Sequence, residues 1–205
     1  MYGKDPNKIH KEATAYHFDF FVTGSNIIAI LGFTTGNKID WNKNYINWNT
    51  DKICLSILSG TVGSENFTAD PQNVIYKTDV DANSLVGSGG KQATTPYTLY
   101  KCTHKMVPYE YNGTKYIIYA YCYPGKKKQC ILGYVSYGLD SNGRVKLHTK
   151  REFCDKDGNS FSPLTDCARI IDMTYRDLEL WITWVTSDES TIKCFHIRLS
   201  SFINL

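Results

Sequence analysis

The chain has 205 residues and a mass of 23.3 kDa, a length for one domain, 1–205, with a core of its own. Lys and Arg number 23 against 20 for Asp and Glu, an excess too small for the concentrated basic face that nucleic acid requires, so no nucleic-acid partner is expected. Charged residues are 21% and aromatics 14%, which is the composition of a folding domain and not of a disordered one.

The first twenty residues, MYGKDPNKIHKEATAYHFDF, hold no hydrophobic stretch of the signal-peptide kind, which favours an intracellular location. No apolar run reaches the ~18–20 residues of a membrane-spanning helix, so no transmembrane segment is expected. Along the rest of the chain, period-2 alternation and β-branched or aromatic runs dominate. They predict strands at Ile27–Phe33, Cys54–Leu58, Val74–Lys77, Tyr97–Cys102, Tyr116–Tyr123, Cys130–Tyr137, Val145–Thr149, Arg169–Met173, Leu178–Val185 and Thr191–Leu199. Turn signals separate them: residues 23–26 (TGSN), 111–114 (YNGT), Pro124-Gly125, 140–143 (DSNG) and 155–159 (DKDGN). Asn-Gly between two strand-like runs is the strongest short hairpin cue. Residues 83–96 are rich in Gly, Ser and Thr and read as a surface loop. The fold class expected is all-β.

Segments 95–137 and 165–200 are weakly similar to each other. Each runs strand, turn, aromatic strand, polar turn and a strand that starts with Cys, and 14–41 shares the first two parts. Equating Phe33, Tyr121 and Trp184 gives offsets of 88 and 63, which suits units of ~40–50 residues with inserted loops and not a strict array. An inner strand followed by Leu180-Trp-Ile-Thr-Trp184 resembles a β-propeller blade of the sialidase-like or lectin kind. Ser136-Tyr-Gly-Leu-Asp140-Ser-Asn-Gly143 and residues 154–161 resemble degraded Asp-boxes, which close hairpins in that family. Both depart from the family spacing and lack its terminal Trp. The resemblance implies a small propeller-like fold; a two-sheet β-sandwich with long loops accounts for the same strands.

Seven cysteines include no C-x-x-C pair, which gives no zinc or thioredoxin-like signature. Cys122 and Cys130 flank a hairpin tip and are the one pair the sequence sets face to face; otherwise the thiols read as buried and reduced. The sequons at Asn66 and Asn112 fit a secreted protein, against the missing leader. No catalytic residue, metal site or cofactor is assigned. The five arginines form no carboxylate-binding motif, and Arg169-Ile-Ile-Asp172 reads as a strand-end ion pair. Cys102 and His104 are poorly placed for a nucleophile and its base on one strand. The 155–159 turn lacks the downstream Glu of a calcium loop, and Lys126–Lys128 reads as a solvated tip.

The richest stretch is 40–50, in which Trp41, Tyr45 and Trp48 interleave with Asn44, Asn47 and other amides. Sugars offer apolar CH faces and a rim of hydroxyls, which aromatic platforms and amides respectively satisfy. The expected function is a non-enzymatic lectin-like module that holds a glycan through Trp41, Asn44, Tyr45, Asn47 and Trp48. The alternatives are a structural or protein-interaction β-domain, self-associating or bound to a partner, and a glycosidase- or sialidase-like hydrolase. Trp181 and Trp184, three apart on a strand, must face opposite sides, one core and one nearer the surface; with Trp181 taken as the core member, its truncation is the costly one.

Overall fold

A computed structural model describes residues 18–35, 52–64, 67–77, 103–123, 129–154, 157, 159 and 162–201. These form three antiparallel sheets, each a meander in chain order and none of them closed. The first holds β1 (Phe18–Thr23), β2 (Asn26–Thr35), β3 (Lys52–Thr61) and β4 (Phe67–Lys77). The second holds β5 (Thr103–Tyr111), β6 (Thr114–Tyr123), β7 (Gln129–Leu139) and β8 (Val145–Glu152). The third holds β9 (Cys167–Arg176), β10 (Glu179–Thr186) and β11 (Ile192–Arg198), and a 3-10 turn at Leu199–Ser201 follows. The all-β expectation therefore holds, and no helix among the described residues is long and apolar enough to cross a membrane.

Two strands of the structure, β1 and β5, do not stand out in the sequence. β1 is a short run of alternating exposure. β5 begins where the expected strand Tyr97–Cys102, which lies outside the described residues, would end. Its Pro108 argues against a strand in the sequence, yet β5 is the free edge of its sheet, where a residue without an N–H is tolerated.

The first hairpin of every sheet closes with a two-residue turn: Thr23 opposes Asn26, Tyr111 opposes Thr114 and Arg176 opposes Glu179. Asn112 and Gly113 both have positive φ, 48° and 73°, as a type I′ turn demands. Asp177 and Leu178 take the same hand, 55° and 68°, without a glycine, so Leu178 belongs to the turn and not to the strand predicted there. Anchored on these turns, the internal repeat has spacings of 88 residues (Asn26 to Thr114) and 65 (Thr114 to Glu179). The first matches the spacing of Phe33 and Tyr121. The second equates Trp184 with Tyr119, not with Tyr121, and both side chains point at the preceding sheet.

The sheets stack face to face with the second in the middle. On one side Val107, Tyr116, Ile118 and Leu132 pack against Ile170, Met173, Leu180, Ile182 and Trp184 of the third sheet. On the other, Met106, Ile117, Tyr119, Tyr121 and Tyr123 pack against Ile28, Ile30, Leu55 and Ile57 of the first. Hydrogen bonds from side chain to backbone stitch the layers along both edges. Asp19 Oδ2 accepts the Met106 N–H at 2.8 Å and Thr103 Oγ1 accepts the Ile170 N–H at 2.8 Å, which joins β1 to β5 and β5 to β9. At the far edge, buried Asn73 donates to the Val145 carbonyl at 2.9 Å and accepts the Leu147 N–H, and Ser59 Oγ accepts the Val145 N–H at 2.6 Å.

Trp181 and Trp184 do lie on opposite faces, but with the roles reversed. Trp184 is 3% exposed, its indole N–H donating to the Thr165 carbonyl. Trp181 is 38% exposed and stacks on His196, centroids 4.5 Å apart. Trp184→Ala should therefore cost about 3–5 kcal/mol, the range for a buried aromatic, and Trp181→Ala clearly less. Denaturant unfolding of the two variants checks the order.

Candidate functional site

Where the first hairpins of the three sheets turn, the stack leaves a groove of about 290 Å³. Phe21, Val22 and Thr23 from the end of β1 line it, with Pro108, Tyr109 and Glu110 from β5, Lys115 from β6, Tyr137 from β7 and Tyr175 from β9. All three sheets contribute. The residues gather there because strands that share an edge and turn at one level bring their last side chains together.

Two aromatic pairs form the walls. Phe21 meets Tyr137 edge to face at 6.3 Å, and Tyr109 meets Tyr175 edge to face at 5.3 Å. Tyr109 and Tyr137 are buried, Phe21 and Tyr175 half-buried. At the rim Glu110 and Lys115 stand opposite each other across β5 and β6, both exposed. Burial, and then the charge of Glu110, raises the Tyr137 phenol above its ordinary value, against a lowering hydrogen bond with Thr23. Burial, and then the neighbouring Tyr175, Tyr111 and Tyr116, likewise raises Tyr109. Both phenols stay protonated at neutral pH and keep a hydroxyl that donates and accepts. The groove thus offers flat apolar walls, neutral hydroxyls, one carboxylate and one ammonium group. Among the described residues that line it, Glu110 is the one acid, whereas glycoside hydrolysis uses two facing carboxylates.

The residues expected from sequence to hold a ligand, Trp41, Asn44, Tyr45, Asn47 and Trp48, lie outside the described residues, as do Cys102, Lys126–Lys128 and part of the 155–159 turn. His104 is described; it is buried, with Nδ1 3.1 Å from the Tyr123 hydroxyl. Asp172 sits 3.8 Å from Lys105 across β5 and β9. The turn 140–143 does close a hairpin, β7 to β8: Asp140 Oδ1 accepts the N–H groups of Asn142 and Arg144. Sequence reasoning missed the four groove aromatics because they come from four separate strands. One signal was present. The 88-residue offset that equates Phe33 with Tyr121 also equates Phe21 with Tyr109.

No protein-family model matches the chain, and no curated protein matches it.

Tyr109 and Tyr175 share one wall but differ in how far the core owns them. Tyr109→Ala should lose about 3–5 kcal/mol as a core truncation, whereas half-buried Tyr175→Ala should lose clearly less. Thermal melts of both variants check this ordering.

Proposed function

We propose that the protein is a non-enzymatic carbohydrate-binding module built from propeller-like blades, with the groove between Phe21, Tyr109, Tyr137 and Tyr175 as a glycan site. The observation that carries the reading is the groove's make-up: aromatic walls for the CH face of a sugar ring, with neutral phenols, Glu110 and Lys115 at hydroxyl reach around it. The blade-like arrangement draws support from consecutive meander sheets that stack by their faces with β1, β5 and β9 side by side. A two-sheet sandwich gives each sheet one covered face, and the second sheet here has two.

Trp41, Asn44, Tyr45, Asn47 and Trp48 remain a proposed second platform, held in the connection between β2 and β3. That connection leaves and rejoins the first sheet at Thr35 and Lys52, the end opposite the groove's Thr23–Asn26 turn. The two platforms share no residue and are separable by mutation.

A glycan array with the purified chain tests the reading. A bound glycan should lose about 1–3 kcal/mol of affinity on Tyr175→Ala or Lys115→Ala, the range for a truncated hot-spot contact, with the exposed Lys115→Ala variant melting close to the intact protein. If Trp41→Ala or Trp48→Ala takes the loss instead, the site is the β2–β3 connection. No binding to any glycan overturns the carbohydrate reading.

A second reading, a β-domain that associates with another copy of itself, is favoured by one surface. Phe18, Phe20 and Val22 point away from the second sheet and are about half exposed, and the Phe18 ring lies 5.4 Å from Phe20 and 6.1 Å from Phe67. Under this reading sizing at increasing concentration should show a dimer that Phe20→Asp abolishes.

A further inference from the structure

The groove leaves one chemically distinctive cluster unused. Cys122 on β6, Cys130 on β7 and Cys167 at the start of β9 bring their sulfurs within 4.8 Å of one another. Cys122 and Cys130 are direct partners in the β6–β7 ladder, with Sγ atoms in contact at 2.7 Å. Cys167 comes from the third sheet, so the cluster lies across the junction of two layers. Cys122 and Cys167 are buried and Cys130 is half-buried.

The geometry points to a three-sulfur redox site: Cys122 and Cys130 close as a disulfide, and Cys167 is placed to exchange with it, moving the bond from within one sheet to between two.

The surroundings favour neutral sulfur. The Cys122 thiol faces the carbonyl oxygens of Cys167 and Ala168 at 3.4 and 3.6 Å, and Cys130 Sγ lies 3.7 Å from the Cys167 carbonyl. Hydrogen bonding with Cys130, then with Cys167, then burial push the Cys122 thiol well above its ordinary value. A thiolate-ligated cation needs these sulfurs deprotonated, facing acceptor oxygens in an apolar layer. A thiol or a disulfide carries no charge there. The same raised thiol makes exchange slow, because the thiolate is the attacking form, so the site is best read at equilibrium.

The oxidant required is a small-molecule disulfide. The Cys130 thiolate attacks one of its sulfurs and releases one small thiol, leaving a mixed disulfide on the half-buried residue. Cys122 sulfur then attacks Cys130 Sγ, gives up its proton and displaces the second small thiol. Two protein thiols are oxidised and one disulfide is reduced to two thiols. In the exchange step Cys167 sulfur attacks Cys130 Sγ, the Cys122–Cys130 bond breaks, and the Cys167 proton ends on Cys122 with no net oxidation.

The test equilibrates the intact chain with oxidised or reduced glutathione, quenches in acid, alkylates the remaining thiols and maps the peptides. Oxidised protein should carry two fewer alkyl groups in the cluster, with Cys122–Cys130 as the main linked pair. Cys167→Ser should still form that pair. Cys122→Ser should form Cys130–Cys167 instead, and the double variant Cys122→Ser/Cys130→Ser should form no pair with Cys167. Cys122→Ala, run beside the serine variant with circular dichroism on both, guards against misfolding from a buried hydroxyl. The proposal is overturned if all three thiols alkylate after oxidation, if Cys122→Ser and Cys122→Ala fold but leave Cys130 and Cys167 unlinked, or if the purified chain holds stoichiometric zinc or copper that shields them.

Discussion

Covering the middle sheet on both faces is the constraint on which the rest of the structure depends. β6 is buried from Tyr116 to Tyr123 without interruption, so neither face of it can carry the polar residues that normally mark a half-buried strand. Its large side chains need recesses, and two glycines supply them. A Cβ on Gly133 would lie 2.6 Å from the Tyr119 hydroxyl, and one on Gly32 would collide with the Tyr123 hydroxyl. The layers also cannot rely on water to satisfy the backbone along their edges. Asn73 takes that task at β8, copying a strand's own pattern by offering one donor and one acceptor to neighbouring backbone groups. Asp19 and Thr103 each supply an acceptor, to the Met106 N–H of β5 and the Ile170 N–H of β9.

Building this layer from tyrosine has a chemical consequence. Burial, and then the charge of Glu152, raises Tyr119 far above its ordinary value; for Tyr121 burial leads, followed by Tyr119. The phenols therefore act as aromatic surface with a neutral hydroxyl, and no charge is brought into the core. Where the layer reaches the hairpin ends, the same side-chain type becomes groove wall. The two faces of the layer both reach the candidate site: Tyr137 and Phe21 come from the cluster that holds Tyr123, and Tyr109 and Tyr175 from the cluster on the opposite face.

How much of this the sequence made legible follows from where each signal resides. Turns are local, so Asn112-Gly113 and Asp140–Gly143 could be read directly, and so could Cys122 facing Cys130 across a hairpin. The Asp177-Leu178 turn was hidden because a leucine with positive φ carries no turn signature. Which of Trp181 and Trp184 is core could not be read, because alternation fixes that they differ and not which face meets the stack. Cys167 and the four groove aromatics were out of reach for a related reason. They meet through contacts between sheets, and only the 88-residue spacing, followed from Phe33 and Tyr121 back to Phe21 and Tyr109, carried a trace of that.

Stacking solves the burial problem for an inner sheet and passes it to the outer ones. The first sheet must be apolar toward the second, and its other side still presents Phe18, Phe20 and Val22. The third sheet also leaves large apolar side chains exposed, Ile171, Trp181 and Ile192, with Trp181 shielded in part by His196. A ring stacked on a partner loses part of its apolar surface to that partner, as Trp181 does to His196 and as the Phe18, Phe20 and Phe67 rings do to one another. The hydrophobic demand that orders the three layers thus leaves apolar side chains on both outer sheets, where contact between rings removes part of the area that burial would still reward.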